Sequence, residues 1–286
     1  MQFHLTELGR LGYFRSADKI SSLGKILPIT ECHLPELPIN NLWPQLEFEP
    51  DLNIERVSIR AGNDDLMLIL ESDSSEPPEL EIEAGISVTH VFEENAVVIA
   101  GNDHVVLRVL NRDFRVSAAS FFQVNTIMAE KMVSHLIANL PITEASTLLD
   151  IYCGVGLFSA FFAPKCKTII GIEASLSACE DFAFNLDEFD NVELYEGLAE
   201  DVIPHIPVKA DVILVDPPRA GLDKRVIDGI IKINPQIIAY VSCDPSTLAR
   251  DARRLIESGY KLRQVTPFDL FPQTYHIESV SIFESE

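Results

Sequence analysis

Five short apolar runs in the second half of the chain constrain its fold more than any other feature. They are Thr147–Ile151, Thr168–Ile172, Val192–Tyr195, Val212–Val215 and Ile237–Val241. Helical stretches lie among them at Leu157–Ala163, Leu176–Phe189, Lys224–Ile233 and Ser246–Ser258. Strands and helices that alternate in this way form βαβ units around a parallel sheet buried on both faces, an α/β fold. A further helix is expected over Gln123–Asn139, ending before Pro141. The final runs, Tyr260–Thr266 and His276–Phe283, have no helix between them, which predicts a terminal antiparallel hairpin on the parallel sheet.

The first part reads differently. Runs at Met1–Leu5, Leu11–Arg15, Arg56–Ala61, Leu66–Glu71, Ile86–Phe92, Ala96–Ala100 and Val105–Leu110 are separated by turn-prone stretches such as 61–65, 72–78 and 101–103. That pattern predicts a meander of strands with hairpin connections. Pro28–Pro50, with five prolines, reads as an extended or partly helical connection. Two domains follow: a smaller β-rich domain over 1–116 and the α/β domain over 117–286. No apolar run reaches the ~18 residues of a membrane span, and the first ten residues are no signal peptide, so a cytoplasmic address is expected. Five cysteines without CxxC spacing indicate neither a disulfide framework nor a zinc site.

Four segments carry chemistry. In Leu148–Ser159 a strand runs into Tyr152-Cys153-Gly154-Val155-Gly156, a glycine turn entering a helix. Glycines there let the backbone approach a ligand, and Glu173 at the end of the second strand is placed to hold ribose hydroxyls. By itself such a turn is equally a plain tight turn. The GxGxxG pattern stops at Ser159, which favours a nucleoside ligand without phosphates, such as S-adenosylmethionine, over a dinucleotide. In the second segment a buried strand leads into Asp216-Pro217-Pro218-Arg219, whose prolines fix a rigid exit at the ligand-binding edge. A turn or capping role for Asp216 is the plain alternative. In the third, a strand delivers Cys243 to the start of a helix, where the helix end and a cation such as Arg219 would lower the thiol pKa. Cys153, Cys166 and Cys179 read as small buried hydrophobes. The fourth, Phe268–Val280, carries His276 and Glu278 into the last strand; Glu278 is a candidate base or simply an exposed carboxylate.

Together the ordered set Ser120-Phe121-Phe122-Gln123-Val124-Asn125, Asp-x-Tyr-Cys-Gly-x-Gly, Asp-Pro-Pro-Arg-x-Gly, Val-Ser-Cys-Asp-Pro-x-Thr-Leu-Ala-Arg-Asp and Phe-Pro-x-Thr-x-His-x-Glu resembles the RNA uracil-5-methyltransferase family over about 117–286, with a fainter match through Leu11–Pro35. The resemblance implies a class I methyltransferase Rossmann-like sheet, mostly parallel with an antiparallel terminal strand. It implies that Cys243 adds to C6 of uracil and that Glu278 removes the C5 proton. Gln123 and Asp216 would contact cofactor and target base. Tyr152, Gly154, Gly156 and Glu173, with Gly197 after the third strand, would hold S-adenosylmethionine. Uracil C5 is too poor a nucleophile to be methylated directly, so activation by a thiolate agrees with this assignment. The substrate would be tRNA or rRNA, with the target base flipped or unstacked.

The sequence departs from the family pattern in places. The N-terminal RNA-binding barrel and iron–sulfur cysteine cluster of many members are missing, so a shortened relative or a truncated piece is expected. Cys32 stands as one remaining cluster ligand, and no iron–sulfur cluster or metal is expected. Asp244 occupies a position where Asn is usual, and a carboxylate facing Cys243 would raise its pKa. The chain has 22 basic and 44 acidic side chains, a net charge of −22, which disfavours bulk attraction to nucleic acid. Three local sets are candidates for a positive funnel: Arg250, Arg253, Arg254, Lys261 and Arg263; Arg10, Arg15, Lys19 and Lys25; and Arg108, Arg112 and Arg115. Three ordinary solvated faces are the plain alternative. An accessory RNA-binding partner would fit the acidity, and a monomer is expected. The runner-up function is a catalytically inactive relative acting as an RNA- or protein-binding module. A third is methylation of a small molecule. The presence of Cys243, Glu278, Asp216 and Gln123 together favours the enzyme, since a binding module has no use for a nucleophile and base in phase.

Overall fold

A computed structural model of the chain describes residues 1–14, 26–50, 52–81, 85–93 and 95–286. Its contacts divide into two units, Met1–Arg108 with Arg115–Ala119, and Val109–Phe114 with Ser120–Glu286.

In the first unit the strands are β1 (Gln2–Leu5), β2 (Leu11–Phe14), β3 (Ile26–Pro28), β4 (Arg56–Ala61), β5 (Leu66–Glu71), β6 (Ser87–Phe92) and β7 (Asn95–Ala100). They form one sheet in the order β3-β2-β1-β4-β5-β6-β7. The Pro-rich connection folds into a short helix α1 (Leu37–Leu42) and a 3₁₀ turn (Trp43–Gln45). Ile39, Leu42 and Trp43 close over Phe3, Val57, Ile59, Leu68 and Leu70 to make the core. The predicted meander is corrected at one step. β5 and β6 pair in parallel, Met67 opposite Ser87 and Glu71 opposite Val91. A parallel pair needs a crossover of about a dozen residues or more, and the stretch after Glu71 is long enough to be one rather than a hairpin. A second, two-stranded sheet pairs β8 (His104–Val109) with β9 (Arg112–Ser117); β9 has too polar a sequence to have been expected.

In the second unit α2 (Thr126–Asn139) precedes a mixed sheet. Its elements are β10 (Thr147–Ile151), α3 (Leu157–Phe162), β11 (Thr168–Glu173), α4 (Leu176–Asn185), β12 (Val192–Glu196), α5 (Ala199–Val202), β13 (Val212–Val215), α6 (Lys224–Ile233), β14 (Ile237–Ser242), α7 (Pro245–Glu257), β15 (Tyr260–Phe268) and β16 (Glu278–Ser285). The strand order is β12-β11-β10-β13-β14-β16-β15. The first five pair in parallel, and β16 runs antiparallel between β14 and β15. This is the class I methyltransferase arrangement with an added β-rich region. Both faces are buried, as the apolar runs required. Leu149, Ile151, Ile213, Val215, Ile238 and Tyr240 pack against Val226, Ile227, Ile230, Ala252 and Leu255 of α6 and α7. On the opposite face Gly171 lies against Phe182 of α4.

Strand order reverses between β10 and β13, and a cleft opens beyond the carboxyl ends of strands at such a switch point. β16 points the other way, so its amino end meets that same edge.

Candidate active site

At the end of β10 the backbone takes left-handed φ values at Tyr152 (64°), Gly154 (54°) and Gly156 (87°). The two glycines serve different ends. A Cβ on Gly156 would come within 2.3 Å of Leu186 Cδ1 and 3.0 Å of Phe182, so this position exists for close packing on α4. A Cβ on Gly154 would meet nothing within 4 Å, so this position faces open space. Glu173, at the end of β11, accepts from the Gly154 N–H at 2.9 Å through one carboxyl oxygen and from the Ala174 and Ser175 N–H groups through the other. A carboxylate has about four acceptor positions, which leaves capacity for a hydroxyl. Gly197 follows β12 with φ 148° and donates its N–H to the Glu173 carbonyl at 2.7 Å. Burial pushes the Tyr152 hydroxyl up to about 12, with Glu200, Asp223, Asp251 and Glu173 adding to the effect.

One residue of this turn was missed in the sequence. Asp150 is fully buried in β10, and its Oδ2 accepts from the Ser159 hydroxyl at 2.6 Å. Its Oδ1 is buried with no hydrogen-bond partner. Burial, reinforced by Glu173, pushes its carboxyl up to about 7 against the Ser159 bond. A charged residue inside the apolar run Leu148–Ile151 was the available signal, since such residues are rarely buried without a purpose.

The second group gathers from four elements. Ser120 donates to Asp181 Oδ2 of α4 at 2.6 Å, and Asn125 caps α2 by accepting from Met128 N. Between these anchors Gln123 is buried and donates from Nε2 to Asp216 Oδ2 at 3.4 Å. Asp216 leaves β13 with its N–H bonded to the Ile151 carbonyl. Although the residue is only half-buried, protein crowds its carboxyl, and burial followed by Glu278, Asp150 and Glu173 pushes it up to about 8. The β14–β16 ladder ends with Ser242 opposite Ser279; Cys243 follows the one and Glu278 precedes the other, and the charges of Glu278 and Asp216 both act on the Cys243 thiol. Glu278 is 4% exposed, and burial pushes it up to about 7 while Arg219 pulls it down.

Two expectations are corrected here. The Cys243 thiol is raised, not lowered: burial dominates, Glu278 and Asp216 add to it, and Arg219 only partly offsets them. Asp244 is not the cause. Its Oδ1 accepts from the Ser246 and Thr247 N–H groups at the start of α7, which holds its own carboxyl below the usual range. It is a helix cap of the kind Asp and Asn supply equally well.

The loop after Asp216 is tied to α7 by a network the sequence did not reveal. Asp251, wholly buried, accepts from the Tyr240 hydroxyl at 2.9 Å, from Leu222 N at 2.8 Å and from Arg250 Nε at 2.8 Å. Arg250 also donates to the Ala220 carbonyl at 2.8 Å. Most of the basic sets have acidic partners: Arg253 with Glu257, Arg263 with Glu284, Arg112 with Glu188 and Arg115 with Asp103. Arg15, Lys19 and Lys25 lie outside the described residues. Among the described residues no three His, Cys, Asp or Glu side chains group as a metal site; Cys32 accepts from the Tyr13 hydroxyl at 4.0 Å. No helix among them is long and apolar enough to cross a membrane.

Comparison with known proteins gives concordant results. A family model described as tRNA (Uracil-5-)-methyltransferase matches residues 93–285. An uncharacterized RNA methyltransferase of Streptomyces avermitilis is 36% identical over 91% of this chain and 62% of its own length. One from Streptomyces coelicolor is 31% identical over 99% of this chain and 62% of its own length. The chain thus spans about three-fifths of the length of these relatives. Among solved structures, the Pyrococcus abyssi tRNA (uracil-54, C5)-methyltransferase in complex with S-adenosyl-L-homocysteine superposes with a TM-score of 0.76 at 22% identity. That match covers 99% of this chain and 74% of the other and speaks to the fold.

Proposed function

The chain belongs to the tRNA (uracil-5-)-methyltransferase family, and from that premise we propose that it methylates C5 of a uridine in structured RNA, tRNA or rRNA, using S-adenosylmethionine. The observation that carries the reading is that Glu278 and Asp216 both act on the Cys243 thiol where β14 and β16 end at one sheet edge.

The glycine turn fits the cofactor. Gly154 has an open side and Glu173 retains acceptor capacity for a ribose hydroxyl. The orphaned Asp150 oxygen beneath the turn adds an unmatched acceptor. Tyr152, Gly154, Glu173 and Gly197 would hold the cofactor, Gln123 and Asp216 would lie between the cofactor and the base, and Gly156 would serve the turn by packing it on α4. When bound, S-adenosylmethionine supplies a sulfonium-activated methyl group, the electrophile that C5 needs.

The chain's own residues do the rest. Cys243 gives up its proton to solvent, its sulfur bonds C6, and the C5=C6 pair shifts toward the C4 carbonyl, making C5 nucleophilic. With the methyl group on C5, Glu278 takes the C5 proton. The C–H pair re-forms C5=C6 and expels the thiolate. A base with a pKa near 7 is poised for that transfer at neutral pH. Arg219 supports the sequence by stabilising both anions, and Gln123 holds Asp216 where it can bond the base. The β-rich unit of Met1–Arg108 and Arg115–Ala119 would serve the RNA.

The test is incubation with RNA containing 5-fluorouridine. Fluorine replaces the proton Glu278 must remove, so a covalent adduct should accumulate in the wild type and vanish in Cys243→Ala. With ordinary RNA, Glu278→Gln should trap the same adduct. Cofactor binding with no adduct in any case would overturn the reading and favour a non-catalytic binding module.

A further inference from the structure

The segment between β15 and β16 carries three rings that the proposed chemistry does not use. Phe271, Tyr275 and His276 cluster there. The Tyr275 and His276 ring centroids are 4.2 Å apart, and Phe271 meets His276 edge-on at 5.8 Å. His276 thus backs one side of the Tyr275 ring, yet Tyr275 remains 90% exposed. An aromatic side chain so far in water loses the stabilisation its apolar area would gain from burial.

The rings stand on an ordered turn. Thr274 returns its N–H to the Phe271 carbonyl at 3.2 Å, and its hydroxyl donates to the same oxygen at 2.8 Å. The His276 N–H in turn donates to the Thr274 hydroxyl. Pro272 fixes φ at the second position of this turn, and Gln273 holds φ 64° at the third, where glycine is usual. Leu270, 2% exposed, anchors the segment before the turn. Position adds to this. Tyr275 is three residues before Glu278, so their Cα atoms lie within about 11 Å even for an extended chain.

The arginines bear on what covers the ring. Arg112, Arg115, Arg253 and Arg263 each bond an acidic side chain, and the chain is strongly acidic overall. Phosphates would compete with acidic partners for these four arginines, and stacking is the other large source of affinity for unpaired nucleotides.

We propose that Tyr275, backed by His276 and Phe271, is a stacking platform for an unpaired base adjoining the target uridine in the RNA strand. The inference rests on the RNA reading above and names a recognition element within it. Stacking of a base on an aromatic ring tolerates every base, so the platform fixes strand path rather than sequence.

The experiment uses the full chain and a single-stranded oligonucleotide carrying 2-aminopurine beside the target uridine, with a 5-fluorouridine version kept for adduct formation. Stacking on Tyr275 should quench the 2-aminopurine on binding. Tyr275→Ala should lose the quench and raise KM about 5- to 100-fold, with kcat and cofactor affinity within about threefold. Tyr275→Phe should restore both. Unchanged quench and KM in Tyr275→Ala would overturn the platform, as would quench without loss of affinity. A partner protein in place of RNA would show as an alanine variant unaltered toward every oligonucleotide. Absence of any adduct in the wild type would instead sink the methyltransfer reading, so the two failures are separable.

Discussion

Replacing Asp251 by Asn tests whether the Asp216–Leu222 loop is held by the buried carboxylate. The side chain keeps its shape but loses its charge and one acceptor oxygen. If the new NH₂ turns toward Arg250, the bond at 2.8 Å is lost and Arg250, half-exposed, swings into water. The bonds from Tyr240 and Leu222 survive as neutral ones. A charge-assisted bond is worth about 1.5–3 kcal/mol and a neutral one about 0.5–1.5 kcal/mol. One loss and two weakenings come to about 4 kcal/mol, offset in part because a neutral amide is less costly to bury than a carboxylate. The expected net loss is about 3 kcal/mol, or roughly 6–12 °C in the melting of this unit at about 2–4 °C per kcal/mol. Tyr240→Phe should cost only about 1 kcal/mol, since Leu222 still reaches the same oxygen. The pair should couple in a double-mutant cycle. Differential scanning calorimetry gives the melting shift, and the rate of 5-fluorouridine adduct formation reports the loop. A D251N protein that melts within about 2 °C of the wild type and forms adduct at the same rate would refute the reasoning.

The two turn glycines should separate stability from binding. Gly156→Ala drives a Cβ into Leu186 and should cost about 2–3 kcal/mol by thermal melting. Gly154→Ala meets no atom and should cost only about 1 kcal/mol, yet weaken cofactor binding by calorimetry; equal losses of stability would contradict the assignment. The raised carboxyls make stability depend on pH. Glu278 and Asp216 hold protons up to about 7 and 8 in the folded chain but release them near 4.5 and 3.8 when unfolded. Their contribution is therefore full below about pH 4 and lost as pH rises through 7 to 8. The melting temperature of Asp216→Asn should exceed that of the wild type by more at pH 8 than at pH 5, and the reverse ordering would show the carboxyl is not so perturbed.

The parallel core was legible because burial on both faces writes itself into sequence as unbroken apolar runs. β10 and β13 fall where Thr147–Ile151 and Val212–Val215 predict them. The edges were less legible. β9 (Arg112–Ser117) carries two arginines and an aspartate, and its pairing with β8 leaves no clear periodicity. The β5–β6 pair was misread because neighbouring strands were taken to be joined by a turn, although the connection has the length of a crossover. Within the site, residue types and order were readable, but electrostatics were not. Whether Cys243 feels a helix end or two carboxylates depends on which side chains the sheet edge brings together, and Asp244 looks threatening until its bonds to Ser246 and Thr247 are seen. The arginine sets show the same limit, since a cluster of positive charge along the chain says nothing of the acids that fold onto it.

The reversed direction of β16 has a further consequence for how such a protein is born. Glu278 is the one site group delivered by a strand's beginning, and that strand wedges between two neighbours already present. On the ribosome the sulfur emerges some thirty-five residues ahead of its acid partner. Until that late insertion closes the sheet, Cys243 lacks the Glu278 carboxylate that acts on it in the folded chain, so the candidate site is completed only with the last strand to be made.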